Sequence, residues 1–100
     1  MTYLEPWYAP EEDECAKLAA ELRRELPTGH QLQDALVKCL ARRQDRDDVL
    51  FELHDGPGRL AGVHLTWQVE REPPWPHTVV YNSTAEWLAA MQVHHAEYAA

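Results

Sequence analysis

The segments from Asp48 to Leu53 (DVLFEL) and from Arg59 to Trp67 (RLAGVHLTW) constrain this chain most. Both are rich in β-branched and aromatic residues. The DGPG between them, Asp55 to Gly58, reads as a hairpin turn. Period-two alternation places Val49, Phe51 and Leu53 on one face, with Ala61, Val63, Leu65 and Trp67 beside them. Glu52, His54, His64 and Thr66 then point away from that face. A lone two-stranded ribbon is marginal in water, so the pair demands further strands and a covering layer.

A third strand is expected over residues 36–42, joined to the pair by the short polar RQDRDD loop. Leu32, Ala35, Leu36, Cys39 and Leu40 also fit a helical stripe, and periodicity alone prefers the helix. A fourth short strand is expected from Thr78 to Tyr81, after the Pro-rich bend EPPWPH.

Two helices frame these strands. The first opens near Pro10, whose missing N–H costs nothing in a first turn, and continues through Glu11 to Glu14, which oppose the positive end of the helix dipole. Cys15, Leu18, Ala19, Leu22 and Leu26 mark its buried stripe, and Pro27 with Gly29 ends it. The last helix opens at Ser83, with Glu86 completing a capping box. Trp87, Met91, His94 or His95, and Tyr98 share its inward side. The expected fold is α+β: a single domain over residues 1–100, with a four-stranded antiparallel meander flanked by an N-terminal and a C-terminal helix, both on one face of the sheet. Trp67 and Trp87 are expected in the core. The aromatic N-terminus, with Tyr3, Leu4, Trp7 and Tyr8, is expected to fold back on the domain or to meet a second copy.

Several residues match a pattern beyond periodicity. Asp47 to Leu53, Val63 to Trp67, Trp75-Pro76, Tyr81, Ser83, Trp87, Met91, His95 and Tyr98 cover about the C-terminal half. In these the chain resembles a group of small bacterial proteins without an established activity. The resemblance implies a fold more than a function, and it favours an extended segment over residues 35–43. Where that pattern has an Asp before the final His, this chain has His94, so an Asp–His pair is not carried over.

The net charge is −8, which opposes binding to a nucleic-acid backbone and favours a neutral or basic partner. No apolar run reaches the length of a membrane span. The N-terminus lacks the basic and apolar regions of a secretory signal, so a cytoplasmic location is expected, with Cys15 and Cys39 reduced. Each cysteine sits among apolar residues and reads as a small hydrophobe; a disulfide between them would depend on a geometry that sequence does not supply.

No complete chemical motif is present. Adjacent His94 and His95 point about 100° apart on a helix, and there is no HExxH. No metal and no cofactor are therefore expected. DGPG lacks the Lys and following helix of a phosphate loop. Ser83 is committed to capping, which leaves no nucleophile beside a His. The expected function is a small acidic protein-interaction module, non-enzymatic, of inhibitor or immunity type or self-associating. Trp7, Tyr8 and Trp75 would be its anchors, flanked by the acidic Glu11 and Glu12. The alternative is a metal-assisted or His-dependent enzyme that uses His64 with His94 or His95. Convergence of these His in one pocket would favour that alternative.

Overall fold

The computed structural model describes residues 1–54 and 58–100. The expected hairpin turn at Asp55–Gly58 includes residues 55–57, which lie outside the described residues. The architecture is α+β. The described elements run β1 (Trp7–Tyr8), α1 (Glu12–Glu25), β2 (Val37–Arg43), β3 (Asp48–Leu53), β4 (Leu60–His64), β5 (Thr78–Tyr81) and α2 (Thr84–Ala99).

Among the described residues the sheet has five strands in the order β1-β2-β3-β4-β5, every pairing antiparallel. The expected meander of four is therefore β2 to β5, and the N-terminal segment adds a fifth strand. Trp7 pairs with Arg43 and Tyr8 with Arg42, which is how the aromatic terminus folds back on the domain. Residues 37–43 are extended and pair with β3, so the ambiguous segment resolves as strand.

The expectation of helices on one face is overturned. Leu18 and Leu22 of α1 pack with Cys39, Val49, Phe51, Ala61, Val63 and Leu65. Trp87 and Met91 of α2 pack with Trp7, Ala41, Leu50 and Leu60. The two sets alternate along β3 and β4, so the helices lie on opposite faces. The reason is that the central strands are apolar on both sides: consecutive Val49, Leu50 and Phe51 are all 0% exposed. A single layer of helices would leave one of those faces in water.

A register irregularity between Cys39 and Ala41 sharpens this division. The additional residue is Leu40, and beyond it Ala41 and Arg43 join the α2 side. Cys39, before it, stays under α1.

The α2 cap forms largely as its sequence implies. Ser83 Oγ accepts from the Glu86 N–H at 3.2 Å. The Glu86 carboxylate reaches back to the Asn82 N–H, one residue before the cap itself. Trp87 is fully buried, in edge-to-face contact with Trp7 (centroids 4.8 Å apart) and Tyr81 (5.5 Å). Such ring pairs add about 0.5–1.5 kcal/mol each beyond area burial. Tyr98, expected on the inward side, is 42% exposed.

Trp67 is the main correction to the expected core. It is 46% exposed, with φ of 59°, and β4 has already ended at His64. Leu65 is still buried, but beyond it the chain leaves the sheet.

Candidate functional site

The segment 65–77 between β4 and β5 presents three large apolar side chains to solvent: Trp67 (46% exposed), Val69 (60%) and Trp75 (50%). Isolated exposed hydrophobes are ordinary. Three in one connection, two of them Trp, are not.

Buried polar side chains hold both ends of this segment. At the first end stands Glu25, the last residue of α1, which is 0% exposed. Its Oε1 accepts from the Thr66 N–H at 2.8 Å and the Thr66 hydroxyl at 3.0 Å. Its Oε2 accepts from the Trp67 N–H at 2.8 Å. The carboxylate thus does for these N–H groups what a neighbouring strand would otherwise do. Burial and a carboxyl–carboxylate hydrogen bond with Glu21 raise the Glu25 pKa, while the Thr66 and Trp67 donors act against that rise. Glu21 is lowered, first by its bidentate pair with Arg24.

At the second end stands His30, 5% exposed. The Leu32 N–H donates to Nδ1 at 3.0 Å, so Nε2 carries the proton and donates to the Pro76 carbonyl at 2.9 Å. The Thr78 hydroxyl donates to the same carbonyl at 3.0 Å. Pro76 itself is fully buried beside exposed Trp75. Both ends of the loop are therefore tied to the domain by buried side chains.

Of the sequence-derived interface residues, only some fit this surface. Trp75 is exposed as expected. Trp7 is not: it is 4% exposed, edge-to-face with Trp87, and Arg43 lies over its ring at 5.9 Å. Tyr8 is 36% exposed and donates to Glu14 at 2.9 Å. Glu11 and Glu12 are exposed at the start of α1. That start is one helix length from the Glu25 end, roughly 20 Å for this helix at 1.5 Å per residue. Trp7 also belongs to the β1 edge of the sheet, whereas Trp75 leads into β5 at the other edge. The structure thus buries Trp7 and sets exposed Trp75 towards the other sheet edge, a separation that periodicity does not reveal because it says nothing about which edge a loop joins.

The His residues of the alternative reading partly converge. A small pocket of about 100 Å³ is lined by His64, His77 and His94, together with Trp7, Asp48 and Tyr81. Asp48 and His64 are directly paired across β3 and β4, and His64 Nδ1 meets Asp48 Oδ1 at 2.6 Å. The carboxylate oxygen accepts, so Nδ1–H is the donor in this contact and Nε2 is the ring nitrogen left outside it. His94 Nδ1 accepts from the Trp7 indole N–H at 3.1 Å. Burial, then the nearby Arg43 charge, lowers the His94 pKa. Tyr81 leans over Gly62, where an added Cβ would sit 3.4 Å from its ring, and burial followed by the Asp48 charge raises its pKa. His95 is elsewhere: its Nδ1 meets the Glu5 carbonyl at 2.6 Å. Among the described residues no three His, Cys, Asp or Glu side chains gather to hold a metal ion.

The basic-acidic run that leads from the end of β2 into β3 is paired within itself and with α1. Arg43 forks onto Asp45, with both N···O distances 2.9 Å, and this lowers the Asp45 pKa. Arg42 bridges Glu14 at 3.1 Å and Asp47 at 3.2 Å.

Sequence reasoning missed Glu25 and His30, which act on residues more than forty positions away. It also missed Asp48 and Tyr81 as neighbours of His64 and His94. The alternation of β3 and β4 carried a signal for Asp48, since it shares the face of Leu50 and lies opposite His64.

No protein-family model, curated protein or solved structure matches this chain. No helix among the described residues is long and apolar enough to cross a membrane.

Proposed function

We propose that this chain is a protein-interaction module that engages a protein partner through the 65–77 loop, with Trp67 and Trp75 as anchors and Val69 between them. The observation that carries this reading is the pair of half-exposed Trp on a loop clamped by buried Glu25 and His30. Exposed Trp on a pre-ordered loop is what a binding hot spot requires before its partner arrives. The net charge of −8 favours a neutral or basic partner during encounter, consistent with an inhibitor or immunity type of role. The test is capture from the native cell with mass spectrometric identification, using wild type and a Trp67→Ala/Trp75→Ala variant. A partner lost only from the folded variant supports the module, and equal recovery by both removes this loop as the interface. Light scattering over a range of concentrations tests whether the partner is a second copy.

A second reading is supported by the meeting of His64 and His94 in one pocket, with Asp48 orienting His64. A carboxylate-held imidazole with a free Nε2 is a suitable general base. The space is that of about three water molecules, so it would accept only a small reacting group. Hydrolysis of p-nitrophenyl acetate faster than by free imidazole, lost in His64→Gln and kept in His95→Gln, would support this chemistry. No excess over imidazole would remove it.

A further inference from the structure

Helix α1 lies across β2 so that its second turn brings Cys15 over Cys39. The Cys15 thiol points at the Cys39 backbone carbonyl at 3.6 Å, and both sulfurs are free thiols. Cys39 is 7% exposed and belongs to the α1-side core, while Cys15 is half-buried at its margin. Both line an opening of about 580 Å³ between α1 and β2, walled by Pro10, Ala16, Ala19 and Val37. Solvent therefore reaches the sulfur pair from the Cys15 side. The two residues are separated by 24 positions in the chain, so a bond between them would close a substantial loop and tie helix to sheet.

We propose that Cys15 and Cys39 form a reversible disulfide across the α1–β2 contact, with Cys15 as the entry thiol for a disulfide oxidant such as oxidised glutathione. In the first step the Cys15 sulfur attacks one glutathione sulfur. A Cys15–glutathione bond forms, the glutathione disulfide breaks, and one reduced glutathione leaves. In the second step the Cys39 sulfur attacks Cys15 Sγ, and the second reduced glutathione leaves. The protein loses two hydrogens and two electrons, and the oxidant gains them. A disulfide requires the sulfurs at about 2.05 Å, and the Cys15 sulfur already lies 3.6 Å from the Cys39 backbone carbonyl.

The environment also sets the order and pace of the steps. Burial, followed by a hydrogen bond that the Cys39 thiol donates to the Cys15 sulfur, raises the Cys39 pKa strongly. Its thiolate is scarce at neutral pH, so the second step quickens as pH rises. A transient glutathione adduct on Cys15 should therefore precede the cross-link.

The experiment incubates the folded protein with oxidised glutathione and follows intact mass and free-thiol count with time. The expected result is an adduct that decays to a species lighter than the starting protein by two hydrogens, monomeric and without free thiol. Proteolysis should then release the Cys15 and Cys39 peptides joined, until reductant separates them. The oxidised form should melt at a higher temperature than the reduced one. Cys15→Ser should give neither adduct nor cross-link, and Cys39→Ala should stop at a stable adduct. Three outcomes would overturn the proposal: a stable adduct in wild type, no reaction of the folded chain, or a bond only between two copies.

Discussion

Glu25 Oε2 accepts the backbone N–H of Trp67 at 2.8 Å, across 42 residues of sequence. This bond couples the C-terminal end of α1 to the start of the β4–β5 connection. It explains why a Trp in phase with the core face of β4 ends in water. The carboxylate takes the N–H groups of Thr66 and Trp67, so the strand cannot continue and the indole turns outward.

Replacing that carboxylate with an amide tests the clamp. In Glu25→Gln one carboxylate oxygen becomes an NH2 group that faces an N–H donor, leaving buried donors without an acceptor. We expect a loss of about 1–3 kcal/mol in denaturant unfolding, together with faster hydrogen exchange at Thr66 and Trp67. Wild-type exchange at both amides in this variant would show that the loop is held by other contacts.

The four Trp divide into two classes with opposite consequences. Trp87→Ala empties a fully buried site between Trp7 and Tyr81 and should cost about 3–5 kcal/mol. Trp67→Ala and Trp75→Ala remove half-exposed rings and should change stability by less than about 1 kcal/mol. Acrylamide should quench Trp67 and Trp75 and largely spare Trp7 and Trp87. A strong destabilisation by either loop variant would place that ring in the core and weaken the case for it as an anchor.

The helices, the strands β2 to β5 and the α2 cap were legible because each rests on local chemistry. Cys15, Leu18 and Leu22 repeat at helical spacing, β3 and β4 alternate, and Ser83 stands three residues before Glu86. What was not legible depends on distant residues or on very short elements. Trp7–Tyr8 is only two residues long, too short to show a period, so it did not register as a strand. The irregularity at Leu40 moves Ala41 and Arg43 to the α2 face without any Gly or Pro to mark it. The coverage of both sheet faces did have a signal, the unbroken Val49-Leu50-Phe51 run, which strict alternation cannot place on one side. For the site, Trp75 was legible through its Pro neighbours, whereas the exposure of Trp67 and the meeting of Asp48, His64 and His94 needed the register.

Ser83 carries the entry to α2. Its Oγ accepts from the Glu86 N–H, and α2 holds Trp87 one residue further on. Ser83→Ala should lower stability by about 0.5–2 kcal/mol, measured as a shift in urea midpoint at constant slope. Glu86→Ala should lose less, because the Asn82 N–H it serves is exposed and can turn to water. An unchanged midpoint for Ser83→Ala would mean that the cap bond contributes nothing.

The His94–Trp7 bond makes part of the stability depend on pH. His94 Nδ1 must be unprotonated to accept the Trp7 indole N–H, and the ring lies near both Trp7 and Trp87. Burial and the Arg43 charge, with Arg46 adding to them, lower its pKa below the ordinary 6.5, while Glu97 and Asp48 act in the opposite sense. The folded state therefore releases this proton at a lower pH than the unfolded chain. Between the two values the unfolded chain binds more protons, so the contribution of His94 is fully present above about 6.5 and is lost as pH falls through the folded value. Other groups titrate in the same region, so the informative quantity is the difference between wild type and His94→Gln. That difference should change between pH 7.5 and pH 5, with wild type losing more stability on acidification. The emission of Trp7 should change over the same interval in wild type only, because a protonated ring can no longer accept its N–H. Parallel stability profiles for the two proteins would show that His94 titrates alike in the folded and unfolded states, and the bond to Trp7 would then carry no pH dependence.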